Sequence, residues 1–151
     1  MRHFLAQVNL AELELEFRAQ IETVLAAGLT PTHLDWHSLR LSGHPAILDL
    51  MQRLAREYGL ALRVIGEAWI ATVQRQGLPT IDYDFLDSYL LDPNDKTAQY
   101  AQLLRSLPPG LSEWAVHPAL STPELRAIDP TGYQIRQSDF DFLMSPSAQT
   151  I

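Results

Sequence analysis

The sequence contains no cysteine, which excludes disulfides, thiolate metal ligands and a cysteine nucleophile. Any metal must therefore be held by imidazole and carboxylate groups. Clustered positive charge is also lacking. Eleven lysines and arginines face 18 acidic residues, for a formal charge of −7, and they form no basic run. Neither a nucleic acid nor a membrane surface is expected as a partner, since both attract lysine- and arginine-rich faces. No stretch approaches the roughly 20 apolar residues that span a bilayer. The opening MRHFLAQVNLAELELEF spaces its charges evenly, without the apolar core and small-residue cleavage site of a secretory signal, so a cytoplasmic protein is expected. A glycine-rich phosphate loop, a Gly-x-Ser-x-Gly elbow and a His-Glu-x-x-His helix are all absent.

What remains is an ordinary globular composition. The 151 residues are 46% hydrophobic and 19% charged, enough for one domain, expected over residues 1–151, with its own core. From Asn9, a suitable N-cap, Leu10, Leu13, Phe17, Ile21, Val24 and Leu25 recur at helical steps until Gly28. After Pro31 the period changes to two. Thr32, Leu34 and Trp36 point one way and His33, Asp35 and His37 the other, which predicts a strand. Pro45 suits a first helical turn, and Ile47, Leu50, Met51, Leu54, Ala55 and Tyr58 make an apolar stripe that stops at Gly59. LALRVI, residues 60–65, reads as a buried strand. Helices are further expected over residues 67–76, 96–106 and 134–144, with a capped helix at STPELRAI and a short strand in LSEWAVHP ending at His117. Helices alternating with strands over short loops predict an α/β fold, with a parallel sheet and crossover helices. Such sheets carry their chemistry at the carboxyl ends of their strands.

His37 ends its strand there and can be a metal ligand, or simply a hydrogen-bonded histidine at a strand end. At about 3.3 Å per residue, His33 and His37 lie roughly 13 Å apart along an extended strand, so only one of them is expected to ligate. Asp35, about 6 to 7 Å from each, is better placed to orient an imidazole or contact substrate. His117 ends a second strand, and the following Pro118 turns the chain away from the sheet. If the two strands are neighbours, His37 and His117 open onto one rim, with His117 a general acid or a stabiliser of an oxyanion. The alternative is a turn histidine satisfied by backbone. Glu113, deeper in the same strand, is expected to be structural. Arg63 lies within an apolar strand, where a charge requires an acidic partner. Asp82, Asp84, Asp87, Asp92 and Asp95 lack calcium-loop spacing and are expected to form a solvated loop. His44 is a weak alternative ligand, and His3 has no spacing argument.

The pattern PTHLDWH followed by ILDLMQRLAREYGLALRV, then EWAVHPALSTPELRAIDP and RQSDFDFLMSP, resembles the YdjC-like carbohydrate deacetylases. These are the chitooligosaccharide deacetylase and hopanoid-biosynthesis-associated group, and the similarity covers residues 10–146. The resemblance implies a modified (β/α) barrel, here incomplete, that uses a divalent metal, Mg or Zn, to hydrolyse the N-acetyl group of an amino sugar or oligosaccharide. It implies His37 as one metal ligand and His117 in an acid or oxyanion-stabilising role; His33, Asp35 and Arg63 are expected to contact substrate or support such groups. Trp36 stands where many members have serine, and Leu39 and Leu41 where further histidines often follow. The family's paired aspartates on a first strand and its second histidine ligand have no counterpart in this sequence, nor does its final strand. Impaired catalysis is therefore expected, together with self-association or pairing with a complementary chain through open strand edges. The rival expectation is a non-catalytic carbohydrate-binding or assembly module that retains the barrel fragment.

Overall fold

The computed structural model describes residues 7–35 and 44–150 and divides into two compact units, Met1–Asp84 and Phe85–Ile151. The first unit contains α1 (Leu10–Ala26), β1 (His33–Leu34), α2 (Pro45–Tyr58), β2 (Ala61–Leu62) and α3 (Glu67–Arg75). Helix α1 starts where expected because the Asn9 side chain accepts from the Ala11 amide at 3.0 Å and the Glu12 amide at 3.4 Å, satisfying donors that have no partner within the helix. Proline opens α2, and Gly59 closes it in the left-handed conformation, φ 69°. The chain then reverses, with the Leu60 amide bonding back to the Ala55 carbonyl at 2.8 Å.

The apolar stripe of α2 is buried, with Ile47, Leu48, Leu50, Met51, Leu54 and Ala55 at most 4% exposed. Leu50 and Leu54 pack on Ile21 of α1, flanked by Leu13, Phe17, Leu34 and Tyr58. Charged groups also link the two helices. The Glu14 carboxylate accepts from both Arg53 and Arg18, and Arg18 reaches on to Glu57. The Arg53 bond first, and the Arg18 bond next, hold the Glu14 carboxyl down at about 2.

As a crossover requires, β1 and β2 are parallel, pairing His33 with Ala61 and Leu34 with Leu62. Both strands are shorter than their hydrophobic runs suggest. The Leu62 amide bonds to Pro79 rather than to β1. Val64 is buried by packing without entering the ladder.

The second unit contains β3 (Leu86–Asp87), α4 (Lys96–Arg105), β4 (Trp114–Ala115), α5 (Pro123–Ile128) and α6 (Tyr133–Leu143). Single 3₁₀ turns at Ser88–Leu90 and Pro93–Asp95 join β3 to α4. Strands β3 and β4 are parallel, with Leu86 beside Trp114 and Asp87 beside Ala115. Tyr100, fully buried, meets the rings of Trp114 and Phe142 edge-on at 4.3 and 4.5 Å between centroids.

The α/β class with parallel strands and helical crossovers is thus observed. The described strands form two separate pairs, and the barrel-like closure implied by the resemblance is not among the observed features. The acidic segment is largely solvated as expected, with Asp82, Asp84, Asp92 and Asp95 exposed, and it also caps turns. Asp87 caps the Tyr89 amide, Asp92 caps the Asn94 amide, and Asp84 accepts from the Gly66 amide. Asp87 and Asp92 thereby each start a 3₁₀ turn.

Candidate functional site

His117 lies two residues beyond the carboxyl end of β4. The register that places Asp87 beside Ala115 brings the end of β3 to the same rim. The imidazole Nε2 of His117 is 3.6 Å from Asp87 Oδ1, and the Tyr89 ring meets the imidazole edge-on at 4.7 Å. An imidazole at a strand rim, oriented by a neighbouring carboxylate, can carry a proton to a leaving group.

Beneath this rim is a buried carboxylate that the sequence patterns do not single out. Asp139 of α6 is fully buried. Its Oδ2 accepts from Ser88 Oγ at 2.5 Å and from the His117 amide at 2.9 Å. Its Oδ1 accepts from Tyr100 Oη at 2.5 Å and lies 3.1 Å from Lys96 Nζ. Lys96, the chain's single lysine, is 4% exposed and also donates to the Ser88 carbonyl at 2.8 Å. Burial works against the Asp139 charge, but the hydrogen bonds from Ser88, Tyr100, the His117 amide and Lys96 outweigh it and hold the carboxyl below its ordinary range. Burial, and then the bond to Asp139, push the Tyr100 phenol well above its usual value.

Two local features of the sequence are consistent with this network. A lysine at the first position of a helix opposes the helix dipole and therefore calls for a counter-charge. Asp139 also shares a helix face with Phe142, three residues on.

In the first unit, Arg63 has the acidic partner its position demands. Its Nη1 lies 3.0 and 2.9 Å from the two oxygens of Asp35. His33 is exposed, with Nδ1 3.0 Å from Thr32 Oγ1. His33 and Asp35 both line a cleft of about 200 Å³ whose walls include Phe17, Ile21, Met51 and Leu54. His37, together with Trp36, Leu39, Leu41 and His3, lies outside the described residues. Strands β1 and β4 pair with β2 and β3 respectively, and the rim expected at His37 lies outside the described residues. His44 immediately precedes α2, and its carbonyl accepts the Ile47 and Leu48 amides.

Among the described residues, no three histidine, aspartate or glutamate side chains converge on a common point, and Asp35 is engaged by Arg63. The described residues therefore do not present a cation's donor set. Among the same residues, no helix is long and apolar enough to cross a membrane.

A family model described as YdjC-like protein matches residues 1–151. A carbohydrate deacetylase of Thermus thermophilus is 33% identical over 150 residues, covering 93% of this chain and 55% of that protein. A carbohydrate deacetylase of Geobacillus stearothermophilus is 36% identical over 78 residues, covering 52% of this chain and 29% of that protein. A crystal structure from Enterococcus faecalis, described as a putative cellobiose-phosphate cleavage protein, superposes with a TM-score of 0.76 at 26% identity. It covers 97% of this chain and 57% of its own. The chain thus spans about half the length of the first of these curated relatives and of the solved structure.

Proposed function

The chain belongs to the YdjC-like family, and from that membership we propose that it forms part of a carbohydrate deacetylase site hydrolysing the N-acetyl group of an amino sugar or oligosaccharide. The relatives named carbohydrate deacetylase support this substrate class. The observation that carries the reading is the position of His117, at the carboxyl rim of β4 with its imidazole facing Asp87. In amide hydrolysis, water adds to the acetamide carbonyl and the C–N bond then breaks. The departing amine must gain a proton to leave. His117 is proposed to supply that proton, with Asp87 beside its imidazole to orient the ring. His37 is the proposed ligand from this chain for Mg or Zn, and His33, Asp35 and Arg63 are proposed to contact or support the sugar.

Turnover by this chain is proposed to be slow. Acetate release from an N-acetylated chito-oligosaccharide, measured with added Mg²⁺ or Zn²⁺, tests the reading. The expected rate lies below that of the Thermus thermophilus relative assayed alongside, and His117→Ala lowers it about a hundredfold, as loss of a general acid does. Release that is unchanged in His117→Ala refutes the role of that residue. Sugar binding without release favours the non-catalytic module.

A further inference from the structure

We propose that Asp139 is a positioning residue for His117, acting through the backbone amide of the histidine rather than on substrate. The inference rests on the acid role of His117 proposed above, but it is argued from separate geometry. The segment after β4 lies along α6 and is tied to it at alternate residues. The His117 amide donates to Asp139 Oδ2 at 2.9 Å, the Ala119 amide to the Arg136 carbonyl at 3.1 Å, and the Ser121 amide to Gln137 Oε1 at 2.6 Å. Of these acceptors, Asp139 alone combines full burial with a charge.

A carboxylate accepting only the His117 amide could swing with the loop. This one is held at both oxygens, by Ser88 Oγ on Oδ2 and by Tyr100 and Lys96 on Oδ1. Three elements thereby converge on one acceptor: the turn after β3, helix α4, and the segment after β4. With the amide fixed and Pro118 restricting the next residue, the imidazole has few places to go. It stands between the edge of Tyr89 and the carboxylate of Asp87.

Tyr89 is fixed in turn by its hydroxyl, which donates to Asp129 Oδ2 at 3.1 Å. Asp129 itself accepts from Arg136 Nε at 2.8 Å and from the Gly132 amide at 2.9 Å. The same helix, α6, thus supports the backbone of His117 directly and the ring that faces its imidazole indirectly. Such supporting contacts set the orientation of a functional group that a flexible loop would leave loose.

The test is nuclear magnetic resonance on the 151-residue chain, with readouts independent of turnover. In the native chain, the His117 amide proton is expected to exchange as slowly as the amides within α6. In the double variant Lys96→Met with Asp139→Leu, the carboxylate and its buried cation are removed together, so that neither charge is left unpaired. There the His117 amide should exchange at least about tenfold faster and the His117–Tyr89 ring contact should disappear. The ring contacts of Tyr100 with Trp114 and Phe142 should remain, which a merely structural collapse would not allow. Asp139→Asn keeps an acceptor oxygen and should retain the His117–Tyr89 contact. Exchange of the native His117 amide at the rate of an unprotected loop overturns the inference, whether or not the double variant folds. A folded double variant that keeps the His117–Tyr89 contact overturns it as well. Absence of acetate release with these signatures intact counts against the proposed function and leaves the positioning role standing.

Discussion

Replacing Asp139 with alanine should be among the most damaging single substitutions in the second unit. The carboxylate is fully buried and receives Ser88 Oγ, Tyr100 Oη, the His117 amide and Lys96 Nζ. Alanine leaves Lys96, 4% exposed, without its counter-charge. Breaking a buried ion pair by removing one partner costs about 3 to 5 kcal/mol. Each buried donor left without an acceptor costs about 1 to 3 kcal/mol more, although these losses overlap and do not add in full. A destabilisation of at least about 4 kcal/mol follows, a large share of the roughly 5 to 15 kcal/mol available to a typical domain. Ser88→Ala removes one donor and leaves the carboxylate with three others, so about 1 kcal/mol is expected. Lys96→Met should fall between the two, because the remaining neutral donors still hold the charge. Urea unfolding followed by tryptophan fluorescence measures all three, with the slope checked for constancy. An Asp139→Ala variant within about 1 kcal/mol of the native chain, or one less damaging than Ser88→Ala, refutes the claim that this carboxylate organises the unit.

Leu54→Ala should cost about 2 to 5 kcal/mol, since the side chain is fully buried against Ile21 and Leu50; thermal unfolding monitored by circular dichroism would show the loss. The Asp139 carboxyl titrates below its ordinary range in the folded chain, held by the Ser88, Tyr100, His117 and Lys96 donors, so its contribution to stability is fully present above about pH 4 and is lost as pH falls through the lower folded value. Acid unfolding should therefore steepen below about pH 4, and Asp139→Asn should lack that part of the dependence. Leu15 and Leu29 are 69% and 62% exposed, and the two described sheets have two strands each, so self-association through apolar surface or strand edges is proposed. Sedimentation velocity should show species larger than the 17.0 kDa chain, and a single sharp monomer boundary would count against it.

Helix boundaries were legible in the sequence because the rules that set them are local. Asn9 caps its own first turn, Pro45 occupies a position where its missing donor is harmless, Gly59 takes a conformation that other residues resist, and Thr122 accepts from the Leu125 amide at 3.2 Å. The partner of Arg63 was foreseeable in kind, since a guanidinium in an apolar strand needs an acid, and Asp35 is that acid. Strand lengths were less legible. Hydrophobic runs report burial, whereas a ladder also needs a neighbour at hydrogen-bonding distance, and β1, β2, β3 and β4 find one for only two residues each.

By itself, the amino-acid order determined the amphipathic helices, the absence of thiol chemistry and the histidine at the end of a strand, because periodicity, capping and composition act within a few residues. Only the tertiary structure decided that Asp139, one of two acids in RQSDFDF, is buried, while Asp141 two residues on lies at the surface. That difference depends on Ser88, Lys96, Tyr100 and His117, which are distant in the chain and meet around one carboxylate only when α4, α6 and the parallel pair of β3 and β4 pack together.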